Sequence, residues 1–224
     1  MIITIDGPAG TGKSTVAKRL AAVLGFTTYD TGALYRALTW MVLKEGVDYR
    51  DENAMKRILS TFPFRVEGKG EEKRYFIGEV EVTNEIRTKE VTALVSEVSA
   101  LKIVREALRP HQVEYAKSHN IVFEGRDLGT AIFPHADLKF FLGARAEIRA
   151  MRRFKELQEK FPDQSFFYET ILKEIKERDN FDSSRKISPL KQAIDAHFID
   201  TSELTIDEVV LEMRKIYEKA VSSL

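Results

Sequence analysis

The sequence predicts an α/β fold, a parallel sheet with helices on both faces. Three observations predict it. Short apolar runs alternate with stretches of helical apolar spacing along most of the 224 residues, and strands that alternate with helices pair in parallel through right-handed crossovers. The first run, Ile2-Ile3-Thr4-Ile5-Asp6, leads through a glycine-rich turn directly into a helical pattern over residues 16–24. The segments that follow the runs (7–15, 30–36, 125–127 and 143–153) are rich in Gly, Asp and Arg, and ligands of such sheets bind beyond the carboxyl ends of the strands.

The elements follow in order. Gly25 is placed to end the first helix as a C-cap residue. Thr27-Thr28-Tyr29 reads as a second strand, with Asp30 or Thr31 capping a helix over 33–43 whose buried stripe is Leu34, Leu38, Met41 and Val42. Gly46 ends it, and Asp51 or Glu52 starts a short helix to about Leu59. After Pro63 the period changes to two. Phe64 and Val66, Tyr75 and Ile77, and Val80 and Val82 alternate with polar residues, with turns at Gly68-Lys69-Gly70 and Gly78, so two or three short antiparallel strands form an insertion. Residues 88–119 read as helix, broken or bent near Ala100-Leu101 and kinked at Pro110. Ile121-Val122-Phe123 is a third core strand and Leu138-Lys139-Phe140-Phe141-Leu142 a fourth. Helices over 145–161 and 165–181 join through Pro162. Residues 196–199 make a fifth strand, and Thr205 with Glu208 forms a capping box for a last helix to about Val221.

The turn after the first strand is Gly7-Pro8-Ala9-Gly10-Thr11-Gly12-Lys13-Ser14-Thr15. This is G-x-x-x-x-G-K-[ST] in its full strand–loop–helix context, a P-loop. Its glycines let backbone N–H groups converge on an anion, reinforced by the positive end of the helix dipole. Lys13 supplies a cation to β- and γ-phosphates, and Ser14 a hydroxyl to Mg²⁺. The chain therefore binds a nucleoside triphosphate, and the question is what receives the phosphoryl group.

Composition narrows the answer. Apolar residues make up 43% and charged residues 31%, an ordinary soluble composition. Lys+Arg and Asp+Glu number 35 each, so no overall charge draws the chain to nucleic acid or to an anionic membrane. There is no cysteine, which excludes disulfides and thiolate metal sites. No signal peptide and no membrane-length apolar run are visible, so a cytoplasmic protein is expected. His111, His119, His135 and His197 lack metal-ligand spacing. The Lys/Glu-rich stretches 155–160 and 173–177 read as solvated helix faces, and Phe161, Phe166, Phe167 and Tyr168 as packing between two helices.

Arginines mark a second site. Arg36 follows the Asp30-Thr31-Gly32 turn, Arg126 follows the third strand, Arg149, Arg152 and Arg153 share one helix, and Arg178 and Arg185 flank Asp179 and Asp182. Moving a phosphoryl group between two phosphates gathers negative charge, and fixed guanidinium forks suit that task.

These segments also carry a resemblance. Ile3-Thr-Ile-Asp-Gly-Pro-Ala-Gly-Thr-Gly-Lys-Ser-Thr15, Asp30-Thr-Gly-Ala-Leu-Tyr-Arg36, Glu85-Ile-Arg-Thr88, Val104-Arg-Glu-Ala-Leu108, Glu124-Gly-Arg-Asp-Leu-Gly-Thr130 and Glu174-Ile-Lys-Glu-Arg-Asp179 together resemble the bacterial cytidylate kinases, nearly end to end. The resemblance implies a three-layer α/β/α P-loop NTPase fold with a five-stranded parallel sheet, a helical lid and a β insertion in the NMP-binding region. It divides the chain into a core (1–30 and 120–224, with the lid at about 149–168) and an NMP-binding region (31–119, with the insertion at about 62–86). It implies transfer of the ATP γ-phosphoryl to CMP or dCMP with Mg²⁺, by a monomer that binds neither nucleic acid nor membrane. Carried over by position, Gly7 to Thr15 hold ATP. Thr31, Arg36, Arg126 and Arg178 meet the CMP phosphate, with Arg185 nearby. Ser96, Arg105 and Asp127 read the cytosine edge, and Asp182 holds the sugar hydroxyls. The lid's Arg153 or Arg149 touches the transferring phosphate, and Arg153 joins Lys13, Arg126, Arg178 and Arg185 as catalytic. Cytosine offers an amino donor and ring acceptors, which a carboxylate and an arginine complement, whereas uracil reverses that pattern. The competing readings are a P-loop kinase for UMP, AMP or a hydroxyl acceptor such as shikimate, and a nucleotide switch. The switch needs an Asn-Lys-x-Asp motif, which the sequence does not contain.

Overall fold

The computed structural model describes residues 1–68, 72–117 and 120–222. Five parallel strands form the central sheet: β1 (Ile2–Asp6), β2 (Thr27–Asp30), β6 (Ile121–Glu124), β7 (Leu138–Gly143) and β8 (His197–Asp200), in the order β2-β6-β1-β7-β8. This is the expected parallel sheet, with the P-loop at the end of its central strand.

Alternation along the strands feeds two cores. Ile3, Ile5, Val122, Leu138, Phe140 and Leu142 face α1 (Lys13–Leu24) and α8 (Ile206–Val221). Ile121 and Phe123 face the other layer, α2 (Thr31–Lys44), α3 (Glu52–Ser60), α4 (Lys89–Ala100) and α5 (Lys102–Ala116). Phe123 is fully buried between the rings of Tyr29 and Phe133. The expected stripe of α2 is partly offset: Leu34, Leu38 and Val42 are buried, while Met41 is only half-buried.

Local chemistry sets the helix ends. The Asp30 carboxylate accepts the Ala33 N–H at 2.9 Å and that of Asp51 caps α3. Gly25, at φ 68°, closes α1, a conformation only glycine adopts without strain. The Thr205–Glu208 capping box is formed. The bend near Ala100-Leu101 is a full break between α4 and α5, and Pro110 lies inside α5. Lys69, Gly70 and His119 lie outside the described residues.

The insertion is a three-stranded antiparallel sheet, β3 (Phe64–Glu67), β4 (Arg74–Ile77) and β5 (Val80–Glu81). Its Tyr75 and Ile77 join the α2–α5 core. Lys73 ties it to the edge strand β2, donating to the Thr28 carbonyl and, at 2.8 Å, to the Thr28 hydroxyl.

The last layer is a helix pair, α6 (Ala146–Lys160) and α7 (Tyr168–Ser184), around its own small core of Ala150, Ile171 and Ile175, against which Phe166 and Tyr168 pack. Phe167 is instead exposed. The second helix starts three residues later than the sequence suggests and ends three later. Residues 161–164 form a turn, closed by the Gln164 N–H on the Phe161 carbonyl at 3.0 Å, before Phe166 packs against the cluster. The extension places Arg178 and Asp182 one turn apart on the same helix. No described helix is long and apolar enough to cross a membrane.

Phe123→Ala is expected to cost about 3–5 kcal/mol, as a large ring removed from a closed core does. A loss below about 1 kcal/mol in denaturant unfolding would contradict the packing described for this layer.

Candidate active site

Most of the residues in question sit at the carboxyl edge of the sheet. The P-loop leaves β1 at Gly7, whose φ of 147° brings the backbone so close to β7 that a Cβ would lie 2.2 Å from the Leu142 carbonyl oxygen. Lys13 is buried and folded over its own loop, donating to the Pro8 carbonyl at 2.6 Å. The Ser14 hydroxyl donates to Glu124 Oε1 at 2.5 Å, across from the end of β6. Thr201, beyond β8, donates to the Thr11 carbonyl at 3.2 Å, and Arg152 in turn donates to the Thr201 carbonyl at 2.5 Å.

Beside the loop lies a set of arginines that repel one another. Burial pushes the Lys13 amine well below its ordinary value, and Arg126 and Arg178 push it further. Arg178 is pulled down to about 10 by burial and then by Arg126. Arg36 also falls to about 10, through burial and then Arg178, Arg87 and Arg153. Arg36 and Arg178 stay cationic at neutral pH, so positive charge accumulates beside the loop and toward Arg36. Arg126 Nε reaches Asp182 Oδ2 at 3.3 Å, while Arg178 Nε stands 3.9 Å from the same oxygen and has no hydrogen-bond partner among the described residues. A buried donor left without a partner costs about 1–3 kcal/mol, so this arrangement suits an anion.

The three arginines of α6 separate. Arg153 is half-exposed, bonds only to Glu156 among the described contacts, and adds its field to Arg36 and Arg178. Arg149 does something else. Its guanidinium is buried, donates to the carbonyls of Ala144 (2.9 Å) and Ala9 (3.1 Å), and pairs with Asp179 at 2.6 Å. It braces the P-loop against α7.

Asp127 anchors the far end. Arg105 Nη2 bonds one of its oxygens and Arg185 Nη2 the other, at 3.0 Å for Arg185. Arg105 Nη1 is fixed by the Ser99 carbonyl at 3.0 Å, and Arg105 Nε is buried without a partner among the described residues. Ser96 lies one turn earlier on α4, half-buried. Thr31 is buried, with its hydroxyl donating to the Glu124 carbonyl at 2.7 Å. Arg36 Nη1 is held by the Ile86 carbonyl (3.1 Å) and the Thr92 hydroxyl (2.9 Å).

Two carboxylates central to this site escape the motif-based reading. Asp6 ends β1 and accepts the N–H groups of Leu128 (2.9 Å) and Gly129 (2.8 Å), so it sets the π-type turn that follows Asp127. Burial raises its pKa to about 6. Glu124 ends β6 and is raised to about 7, by burial first and by Asp30 second. The signal was available: an acid terminates four of the five sheet strands at the ligand edge, Asp6, Asp30, Glu124 and Asp200.

Ser14 and Glu124 bring hard oxygen donors to one point, and no three His, Cys, Asp or Glu among the described residues cluster as a metal cage. That donor set fits Mg²⁺, which takes one or two protein oxygens and completes its shell with phosphates and water.

The family model for cytidylate kinase matches residues 3–219. A cytidylate kinase of Protochlamydia amoebophila is 51% identical over 95% of this chain and 94% of its own. One from Exiguobacterium is 45% identical over 97% and 96%. A shikimate kinase structure from Bacteroides thetaiotaomicron superposes with a TM-score of 0.51 at 14% identity, over 97% of this chain and 98% of that one, a likeness of fold alone.

Glu124 predicts a pH effect. Its folded pKa of about 7 lies above the ordinary 4.5, so the native state holds a proton that the unfolded chain releases, and stability falls as pH rises through that window. Relative to wild type, Glu124→Gln is expected to gain more than about 1 kcal/mol between the acidic and basic sides of the window, measured by unfolding against pH. A stability difference that does not change with pH would contradict the burial of a titrating carboxyl there.

Proposed function

We propose that this chain, which belongs to the cytidylate kinase family, transfers the γ-phosphoryl group of ATP to CMP or dCMP, releasing ADP with CDP or dCDP. The observation that carries the reading is the unbroken run of mutually repelling cations from Lys13 through Arg126 and Arg178 to Arg36, beside a carboxylate gripped by two arginines. The first feature calls for phosphates from two substrates, the second for a base with an amino donor.

In this mechanism Gly7, Pro8, Ala9, Gly10, Thr11, Gly12, Lys13, Ser14 and Thr15 hold the ATP phosphates, largely through backbone N–H groups. Arg36, Arg126 and Arg178, with Thr31 nearby, hold the CMP phosphate in line with them. An oxygen of that phosphate attacks the γ-phosphorus, and the bond to the oxygen bridging the β- and γ-phosphorus breaks, leaving its electrons on ADP. Such a transition state needs positioning and charge neutralisation rather than covalent help. The Ser14 hydroxyl, oriented by Glu124, would hold Mg²⁺, which would neutralise β- and γ-phosphate charge. Arg153 reaches the transferring group from the lid at about 149–168, whose closure keeps out the water that would otherwise accept the phosphoryl group. Arg149 instead positions the loop.

Asp127 accepts the cytosine amino group. An ionised carboxylate has about four acceptor positions, so two arginines leave it capacity. Arg105 and Ser96 face the ring acceptors, Arg185 steadies Asp127, and Asp182 takes the sugar hydroxyls. Uracil would set a carbonyl against Asp127, and a buried polar mismatch rejects strongly. Residues 31–119 act as the NMP-binding region and the rest as the core. The enzyme is a cytoplasmic monomer with no nucleic-acid or membrane partner.

ADP formation measured in parallel with CMP, dCMP, UMP, AMP and shikimate is expected to give kcat/KM for CMP at least ~10²-fold above UMP and AMP, with no rate on shikimate. Equal use of UMP and CMP would sink the cytosine assignment. Arg153→Ala is expected to lower kcat by ~10²-fold or more while leaving KM for CMP near its original value; an unchanged kcat removes Arg153 from the chemistry. Asp182→Asn is expected to raise KM for CMP and not for ATP, and a variant that uses CMP as wild type does would remove the sugar contact.

A further inference from the structure

Among the described residues, Ser188 is the one non-glycine residue with positive φ, at 48°. A non-glycine residue in this region is strained and persists only where its surroundings over-determine it, often at functional sites.

The surroundings of Ser188 are specific. After α7 ends, the chain doubles back, and the Leu190 N–H donates to the Asp182 carbonyl at 2.8 Å. Between those two points the Ser188 carbonyl accepts a hydrogen bond from Arg185 Nε at 2.6 Å. The guanidinium is planar and its donors are fixed relative to one another. Fixing Nε therefore fixes the direction of Nη2, which donates to Asp127 Oδ1 at 3.0 Å. The opposite grip on Asp127 has the same construction, with Arg105 bonded to Asp127 and anchored by the Ser99 carbonyl. One anchor comes from an ordinary helix end and the other from the strained turn. Packing from outside does not impose the strain, because a cavity of about 630 Å³ lies against the loop, lined by Thr130, Ala131, Pro189, Gln192 and Ile194. What holds the turn is the arginine bond on one side and the Leu190 tie on the other.

We infer that Ser188 is a positioning residue for base selection: its left-handed backbone turns a carbonyl onto Arg185, and Arg185 holds Asp127 in the orientation that accepts the amino group of a cytosine. The inference rests on the cytosine reading of Asp127 given above. A right-handed or extended Ser188 would swing that carbonyl away, freeing Arg185 to rotate and leaving Asp127 held from one side only.

The test compares Ser188→Val, Ser188→Ala and Ser188→Gly by steady-state kinetics with CMP, UMP and ATP varied in turn. Valine, β-branched, resists the left-handed region, whereas glycine adopts it freely. Ser188→Val is expected to raise KM for CMP by about tenfold and to lower the CMP-to-UMP ratio of kcat/KM by a similar factor, with KM for ATP unchanged. Ser188→Ala should show the same changes at smaller size, which keeps the test open if the valine protein does not fold. Ser188→Gly should keep the wild-type KM for CMP and the wild-type ratio. A role in stability alone would lower the melting temperature of the valine and alanine proteins and leave KM and the ratio in place, and that result overturns the inference. A wild type that uses CMP and UMP alike overturns the cytosine reading itself. That failure is distinct from one in which wild type and both strained variants discriminate equally well.

Discussion

Buried positive charge is the constraint on which this site depends. Lys13, Arg36 and Arg178 are each shifted downward by burial and by cationic neighbours. A folded chain tolerates such a cluster only if rigid elements hold the charges and something offsets them. The central strands and the helices after them supply the rigidity, and Glu124, Asp182 and Asp30 supply part of the offset. The remaining positive charge is what phosphates from two nucleotides would neutralise, and charge neutralisation is most of what phosphoryl transfer asks of a protein.

Carboxylates organise the cations as well as balancing them. Asp6 joins the P-loop strand to the turn after Asp127, so the two are braced by one side chain. Asp182 draws Arg126 and Arg178 toward one point. Asp179 fixes Arg149, which in turn grips the loop at Ala9. Apart from the Arg178–Asp182 pair within α7, each link spans elements distant in sequence, so the site is a property of the assembled sheet edge rather than of any one motif.

That explains which parts were legible in the sequence. Sheet strands, the P-loop, the Gly25 cap and the Thr205–Glu208 box depend on neighbours within a few residues, and their patterns read directly. Arg126, Arg178 and Asp127 were legible as types of residue at the right edge. The division of labour among the lid arginines was not, because Arg149 and Arg153 lie one turn apart on the same helix and differ only in what the P-loop and α7 present to them. Asp6 and Glu124 looked like strand ends, and their function comes from contacts more than a hundred residues away. The start of α7 was misread because tertiary packing of Phe166 against the helix pair outweighs the local helical spacing. Ser188 was invisible, since only its backbone conformation sets it apart.

The central claim is that the donor and acceptor phosphates occupy one continuous cationic trench. Calorimetric titration with a dinucleotide that joins adenosine to cytidine through a polyphosphate bridge tests it most directly. If the claim holds, the compound binds at least ~10²-fold more tightly than ATP or CMP alone, because linking two occupants of adjacent sites makes the second contact intramolecular. It is then displaced by either nucleotide and weakened by salt. A compound that binds no more tightly than ATP and still leaves room for CMP would contradict the account, since the two phosphate sites would then be separate.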